Sequence, residues 1–284
     1  MPMNPRLLRP RQTLHPEALD WRNRVVANGG SVSGTTLNAV DRFVKAIVAA
    51  GIRDRFYRLN LFAGNSDASL NAVRTPLFRG PSLGGTQFGN ALDTNVNFVQ
   101  GDYSETGASG GLIGNGSSKY LQTGLQTSAW ITGGNVRSHL AVYKVTNAAI
   151  TSSGVMISSR PVSGTLPWEL GAGGNAVAYG SFPLPTPTDS FLGVTLQSDT
   201  SVIGFRNSVF NDPISGSNAI TATVTPFTIF CRNAPSTDTN TYVPGLYSNQ
   251  RLAAYSIGAG MTQAQVVAFN TAMQAFQTAL GRNV

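Results

Sequence analysis

An alternating run, Leu252-Ala253-Ala254-Tyr255-Ser256-Ile257, leads through Gly258 into one sharply bounded amphipathic helix, and this unit restricts the fold more than any other feature of the chain. Thr262 and Gln265 have capping-box spacing, in which each side chain satisfies a free backbone amide of the other's residue at the helix start. Val266, Phe269, Met273, Phe276 and Leu280 then recur at helical spacing, and Gly281 stands where a left-handed cap falls. The spacing predicts a helix over 262–281. Its apolar stripe needs an apolar surface, and the strand before it points to a β-sheet.

The front of the chain reads as a helical hairpin over 15–54. His15-Pro16-Glu17 opens the first helix, Leu14, Ala18, Trp21 and Val25 share a face, and Gly29-Gly30 ends it. The second begins near Thr35-Thr36, carries Leu37, Val40, Phe43, Val44 and Ile47 on one side, and stops at Gly51. From residue 55 onward, short alternating runs are separated by Gly, Ser, Thr and Asn. Asn115-Gly116 is the strongest hairpin signal among them. Many short, evenly spaced strands favour an antiparallel two-sheet sandwich over an alternating βαβ design. The expected architecture is mainly β: an antiparallel sandwich over 55–284 including the C-terminal helix, a helical hairpin over 15–54 and a basic arm over 1–14.

The net charge of +7 belongs to one end. Residues 1–80 hold twelve basic side chains against five acids, and the remainder is balanced at eight of each. Arg6, Leu7, Leu8, Arg9, Pro10 and Arg11 form an acid-free stretch whose prolines resist both helix and central strand. A segment of this kind is ordered by docking on another chain. Nucleic acid ranks below protein as its partner, because no helix-turn-helix, zinc-finger or RRM pattern accompanies the charge. The single Cys231 excludes an intrachain disulfide and a cysteine-based zinc site. No apolar run has the length of a membrane span, and the basic start lacks a signal-peptide core, so the expectation is a soluble chain made in a cytoplasm.

Three stretches carry a family resemblance. Residues 110–124 (Gly-Gly-Leu-Ile-Gly-Asn-Gly-Ser-Ser-Lys-Tyr-Leu-Gln-Thr-Gly), Ser138-His139-Leu140-Ala141-Val142-Tyr143, and Tyr255-Ser256-Ile257-Gly258 with residues 276–282 resemble concanavalin A-like (laminin G-like) proteins of tailed bacteriophages. Residues 6–11 resemble the short leader of such proteins. Asp20-Trp21-Arg22-Asn23-Arg24-Val25 with residues 28–33 resembles the helical segment ahead of their sandwich. The resemblance implies a jelly-roll sandwich and a virion component: capsid decoration, fibre, or part of the head–tail region. Its partners would be other virion proteins (major capsid, portal or adaptor, tail) and further copies of itself, with Trp21, Arg22 and Arg24 joining residues 6–11 in anchoring. A sugar-binding role is analogy at the level of the fold.

Enzyme chemistry finds little support in the residues. Gly107-Ala108-Ser109-Gly110-Gly111 matches a nucleophile-elbow pattern, which needs a helix after the serine, but a glycine-rich turn follows. His15 and His139 read as structural. Asp102 and Glu105 are the closest acids in the body and read as solvated in a turn, and no strand carries the alternating acids that glycoside hydrolysis needs. No metal and no cofactor is expected. For a binding module, Tyr103, Trp130, Trp168 and Tyr247 are the candidate sugar platforms. The residues thus favour a non-enzymatic assembly protein, with a glycan or receptor module second and a polysaccharide hydrolase third.

Overall fold

The computed structural model describes residues 13–65, 70–130, 137–145, 154–159, 168–171, 176–177, 190–198, 201–211, 214–215, 225–235 and 242–282. Its helices are α1 (Pro16–Ala27), α2 (Gly34–Ala49), the short α3 (Leu70–Arg74) and α4 (Gln263–Ala279). Its strands, in chain order, are β1 (Phe56–Asn60), β2 (Thr94–Val96), β3 (Tyr103–Ser104), β4 (Gly111–Ile113), β5 (Tyr120–Gln126), β6 (Ser138–Val145), β7 (Val155–Ser159), β8 (Trp168–Gly171), β9 (Ala176–Val177), β10 (Ser190–Ser198), β11 (Ser201–Arg206), β12 (Val209–Phe210), β13 (Ile214–Ser215), β14 (Pro226–Ile229), β15 (Arg232–Pro235), β16 (Tyr242–Gly245) and β17 (Arg251–Ala259).

Every pairing among these strands is antiparallel. Sheet A runs β12-β11-β10-β6-β17-β4-β3, with β1 also on β17 and β13 on β11. Sheet B runs β2-β5-β14-β7-β8-β9, and β15 and β16 form a separate pair. The two large sheets face each other as a sandwich, and α1, α2 and α4 cover the other side of sheet A. The chain is therefore three layers deep: helices, sheet A, sheet B.

Burial follows from this layering. All eight residues of β6 are buried. Leu140 and Val142 enter the core between the sheets with Leu121, Leu125, Phe227 and Ile229, whereas Ala141, Tyr143 and Val145 enter the core beneath the helices. A strand covered on both faces carries no polar alternation, so the run at 252–257 reads as amphipathic in sequence but is buried throughout in β17.

The helix ends form where the sequence places them. Thr262 and Gln265 close the capping box reciprocally. At the other end Gly281 has φ of 65°, and the amides of Gly281 and Arg282 reach back to Thr278 and Gln277 in a Schellman arrangement. Gly51 closes α2 in the same way, with Ile52 donating to Ile47. Ser33, two residues before the expected start at Thr35, is the N-cap of α2. Phe269 meets Phe43, Phe56 and Phe191 edge-on, which ties α4 to α2 and to both halves of sheet A.

Asn115-Gly116 is a turn but not a hairpin. The strands on either side pair apart, β4 with β17 and β3 in sheet A and β5 with β2 and β14 in sheet B. Asn115 Oδ1 accepts from the amides of Ser117, Ser118 and Lys119. The side chain thus satisfies the turn by itself and carries the chain from one sheet to the other.

Candidate functional site

Glu105 is the first correction to the sequence reading, which leaves it solvated. It is buried, and its carboxylate accepts from the Thr36 hydroxyl at 2.5 Å, the Gly64 amide at 3.0 Å and the Tyr103 hydroxyl. Arg282, fully buried just beyond α4, lies 3.7 Å from that carboxylate. Its guanidinium donates to the backbone oxygens of Glu105, Leu61 and Phe62 and to Tyr103 Oη. It rests on Gly110, where a Cβ would stand 2.3 Å from its Cγ. This cluster latches the end of α4 to β3 and to the chain beyond β1. Every oxygen of Glu105 is committed to scaffold.

A second buried cluster lies between the sheets. Arg58 and Asp93, both with side chains 0 % exposed, pair at 2.5 Å. Tyr255 Oη donates to Asp93 at 2.8 Å, and Asn60 donates to Asp93 at 3.0 Å. Burial alone lowers the affinity of Arg58 for its proton, but Asp93 and Tyr255 more than offset this and hold the guanidinium charged. Asp102, the other candidate acid, pairs with Lys119 at 2.5 Å with its side chain 12 % exposed. The two acids proposed for hydrolysis thus serve different internal contacts.

His139 is locked as well. Its Nδ1 lies 2.7 Å from the Ala259 carbonyl and its Nε2 2.7 Å from Ser256 Oγ, an arrangement met by a neutral ring carrying its proton on Nδ1. Burial pushes its pKa down to about 4, against the opposing effect of the Ala259 bond. The unfolded chain therefore binds this proton at a higher pH than the folded one, and stability falls as pH drops from about 6.5 towards 4. We expect a loss of about 2–3 kcal/mol between pH 7 and pH 4.5. Urea unfolding at a series of pH values reads it, and the His139→Asn variant should lack that component. At Ser109 the glycine-rich turn leads into β4 and not into the helix that a nucleophile elbow needs.

Of the residues assigned to anchoring, Arg6, Leu7, Leu8, Arg9, Pro10 and Arg11 lie outside the described residues. Trp21 and Arg24 are corrected. Trp21 is 2 % exposed and its indole N–H donates to the Thr75 carbonyl. Arg24 bonds Asp20 and the carbonyls of Pro76 and Leu77. Both fasten α1 to the body of their own chain. Arg22 points outward, 3.4 Å from Asn23 Oδ1.

The four candidate aromatics are not brought together. Tyr103 is buried in the Glu105 cluster. Trp130 plugs the rim of the sandwich, stacked on Tyr57 at 5.1 Å and on Phe227 at 6.1 Å. The side chain of Trp168 lies outside the described residues. Tyr247 is partly exposed and meets Tyr120, 6.1 Å between ring centroids. Trp130 follows the C-terminal end of β5 whereas Tyr120 opens the strand, and the two stacks share no ring. Sequence reasoning missed Tyr120, although the alternation Tyr120, Gln122, Gly124, Gln126 gives β5 a half-exposed outer face.

The helical layer shows where the front segment arrives. Lys45 Nζ donates to the Thr13 carbonyl at 3.1 Å and pairs with Asp41, and the amide of His15 donates to Asp41 at 2.6 Å. The chain thus enters across α2. On the α4 side of α2 lies an apolar cavity of about 130 Å³ lined by Ala39, Phe43, Ala46, Ala272, Ala275 and Phe276. It adjoins a second space of about 210 Å³ beside Thr35, Asn38, Arg42 and Ala279.

No protein-family model and no curated protein matches the chain. Among the solved structures similar to this chain at low identity are three of different kinds. A mutant of the Trypanosoma rangeli sialidase displaying trans-sialidase activity is 9% identical, with a TM-score of 0.41 over 84% of this chain and 39% of its own. Domain 4 of an extracellular arabinanase from Geobacillus stearothermophilus, in complex with arabinotriose, is 14% identical, with a TM-score of 0.32 over 56% of this chain and 75% of its own. The binding domain of Paraclostridial mosquitocidal protein 1 is 12% identical, with a TM-score of 0.38 over 76% of this chain and 51% of its own. The chain thus spans well under half the length of the sialidase. Likeness at this level assigns neither ligand nor activity. Among the described residues no helix is long and apolar enough to cross a membrane.

Proposed function

We propose that this chain is a non-enzymatic structural component of a virion, held to the particle through its front segment and helical layer, with a concanavalin A-like jelly-roll sandwich carried outward. The observation that supports this reading is the polarity of the layers. Thr13 and His15 sit on α2, on the far side of sheet A from sheet B, so a tether and a displayed face are separated by the body of the molecule. The two acids weighed for hydrolysis, Asp102 and Glu105, are occupied in internal contacts, which supports the non-enzymatic part. Deleting residues 1–14 removes no residue of either core cluster. The shortened chain is expected to fold and to be incorporated into particles at least tenfold less, with the full chain's incorporation weakening as salt rises. Equal incorporation of both chains overturns the assignment of the arm.

The Tyr120–Tyr247 pair favours a second reading, in which the outer face of sheet B binds a host glycan through aromatic stacking. A glycan array separates the two. A signal that disappears in Tyr120→Ala supports this reading, and an array without signal removes it.

A further inference from the structure

The α2–α4 groove is an exposed apolar feature with no occupant among the described residues, and the chain itself supplies a candidate of the right chemistry and reach. The groove has aromatic walls, Phe43 and Phe276, an alanine floor, and Arg42 as its charged rim. Successive helix residues turn by about 100°, so Asp41 and Lys45 lie on one stripe of α2 and Arg42 and Ala46 on the next, nearer α4. The bonds from Asp41 to His15 and from Lys45 to Thr13 therefore leave the chain at residue 13 on the crest of α2, one stripe from the groove. Five residues earlier stands Leu8, next to Leu7, an apolar doublet in an otherwise basic stretch. Five extended residues reach about 17 Å, whereas a helix with its side chains is about 10–12 Å across. The span is sufficient with slack for Pro10.

We propose that Leu7 and Leu8 dock in the α2–α4 groove of their own chain, laying the arm across α2. A cavity of about 130 Å³ is close in size to the engineered apolar cavity of about 150 Å³ that stays dry and takes up benzene, so one leucine side chain fits it. Docking also carries Arg6, Arg9 and Arg11 beside Arg42 and Lys45, giving the helical layer one basic face. This extends the tether reading and rests on its choice of the helical layer as the attached side. The contact is apolar and like-charged, so salt strengthens it by screening the arginines, the opposite of the sign expected for tethering.

The test is a cysteine pair, Leu8→Cys with Ala275→Cys, in the otherwise full chain. Ala275 is exposed at the groove, and native Cys231 is buried, with burial pushing its thiol up to about 12, so it does not compete. Mild oxidation is expected to give an intrachain disulfide on a monomer, at least tenfold faster than the control pair Leu8→Cys with Val99→Cys beside β2, and no slower in high salt. Disulfide-linked dimers place the doublet in a neighbouring copy and overturn docking in the same chain. Free thiols, or equal rates for the two pairs, overturn docking altogether. If the arm tethers without docking, the 1–14 deletion still loses incorporation while the cysteine pair stays reduced.

Discussion

Replacing Asp93 by alanine is expected to destabilise the fold by about 3–5 kcal/mol, the usual cost of removing one partner from a buried ion pair. Arg58 is then left as a wholly enclosed guanidinium whose remaining acceptors are the carbonyls of Phe88 and Asn90 and the hydroxyl of Tyr255. Tyr255 and Asn60 lose an acceptor at the same time. The cost thus comes mainly from what is left behind and less from the attraction between the pair. Equilibrium unfolding in urea measures it. An Arg58→Met, Asp93→Ala double variant is expected to recover part of the loss, since neither charge then stays buried alone. A single Asp93→Ala variant within 1 kcal/mol of the parent would show that the cluster is not closed to water.

The second large effect is at the end of α4. Arg282→Met is expected to cost a similar 3–5 kcal/mol, because Glu105 stays buried and the carbonyls of Leu61 and Phe62 lose their donor. For a chain of this size such a loss lowers the melting temperature by roughly 5–8 °C. Hydrogen exchange gives a local readout that separates the latch from a general weakening. Protection should fall first at the last turn of α4 and at β3, while the amides of β6 and β10 keep theirs. Gly110→Ala approaches the same site from the other side, since its added methyl collides with the Arg282 side chain. If the two variants differ strongly in the protection of β3, Arg282 is not what fastens it.

These two clusters mark the limit of what the sequence discloses. The capping box at Thr262, the stripe from Val266 to Leu280 and the glycine caps at Gly51 and Gly281 are local signals, complete within a few residues, and the helices form as they indicate. Arg282 and Glu105 are 177 positions apart, and Arg58 and Tyr255 are 197 apart. In sequence each is an ordinary charged or polar residue, and only the folded topology turns them into buried partners. The misreading of Glu105 as solvated has this cause. Trp21 and Arg24 show the same effect at the surface: a basic, aromatic helix looks like an anchor until Thr75, Pro76 and Leu77 are seen to accept its hydrogen bonds.

Asn115-Gly116 illustrates a different limit. The residues specify a turn through side-chain geometry, and the turn forms, but which sheets its strands join is set by packing between layers. β17 likewise reads as one-sided because Ala253 and Ala254 are small, yet α4 covers that face and sheet B the other. Residue type alone makes Tyr103, Trp130 and Tyr247 exposed platforms, whereas burial sorts them into a latch member, a rim plug and one member of a partly open pair.

The orientation of the chain on a particle tests the proposal most directly. Electron cryo-microscopy of particles carrying the full chain should show the helical layer, with Arg42 and Lys45, against the particle and sheet B facing solvent. Density with sheet B inward, or particles on which the chain is absent while the free monomer turns over a polysaccharide, would contradict it.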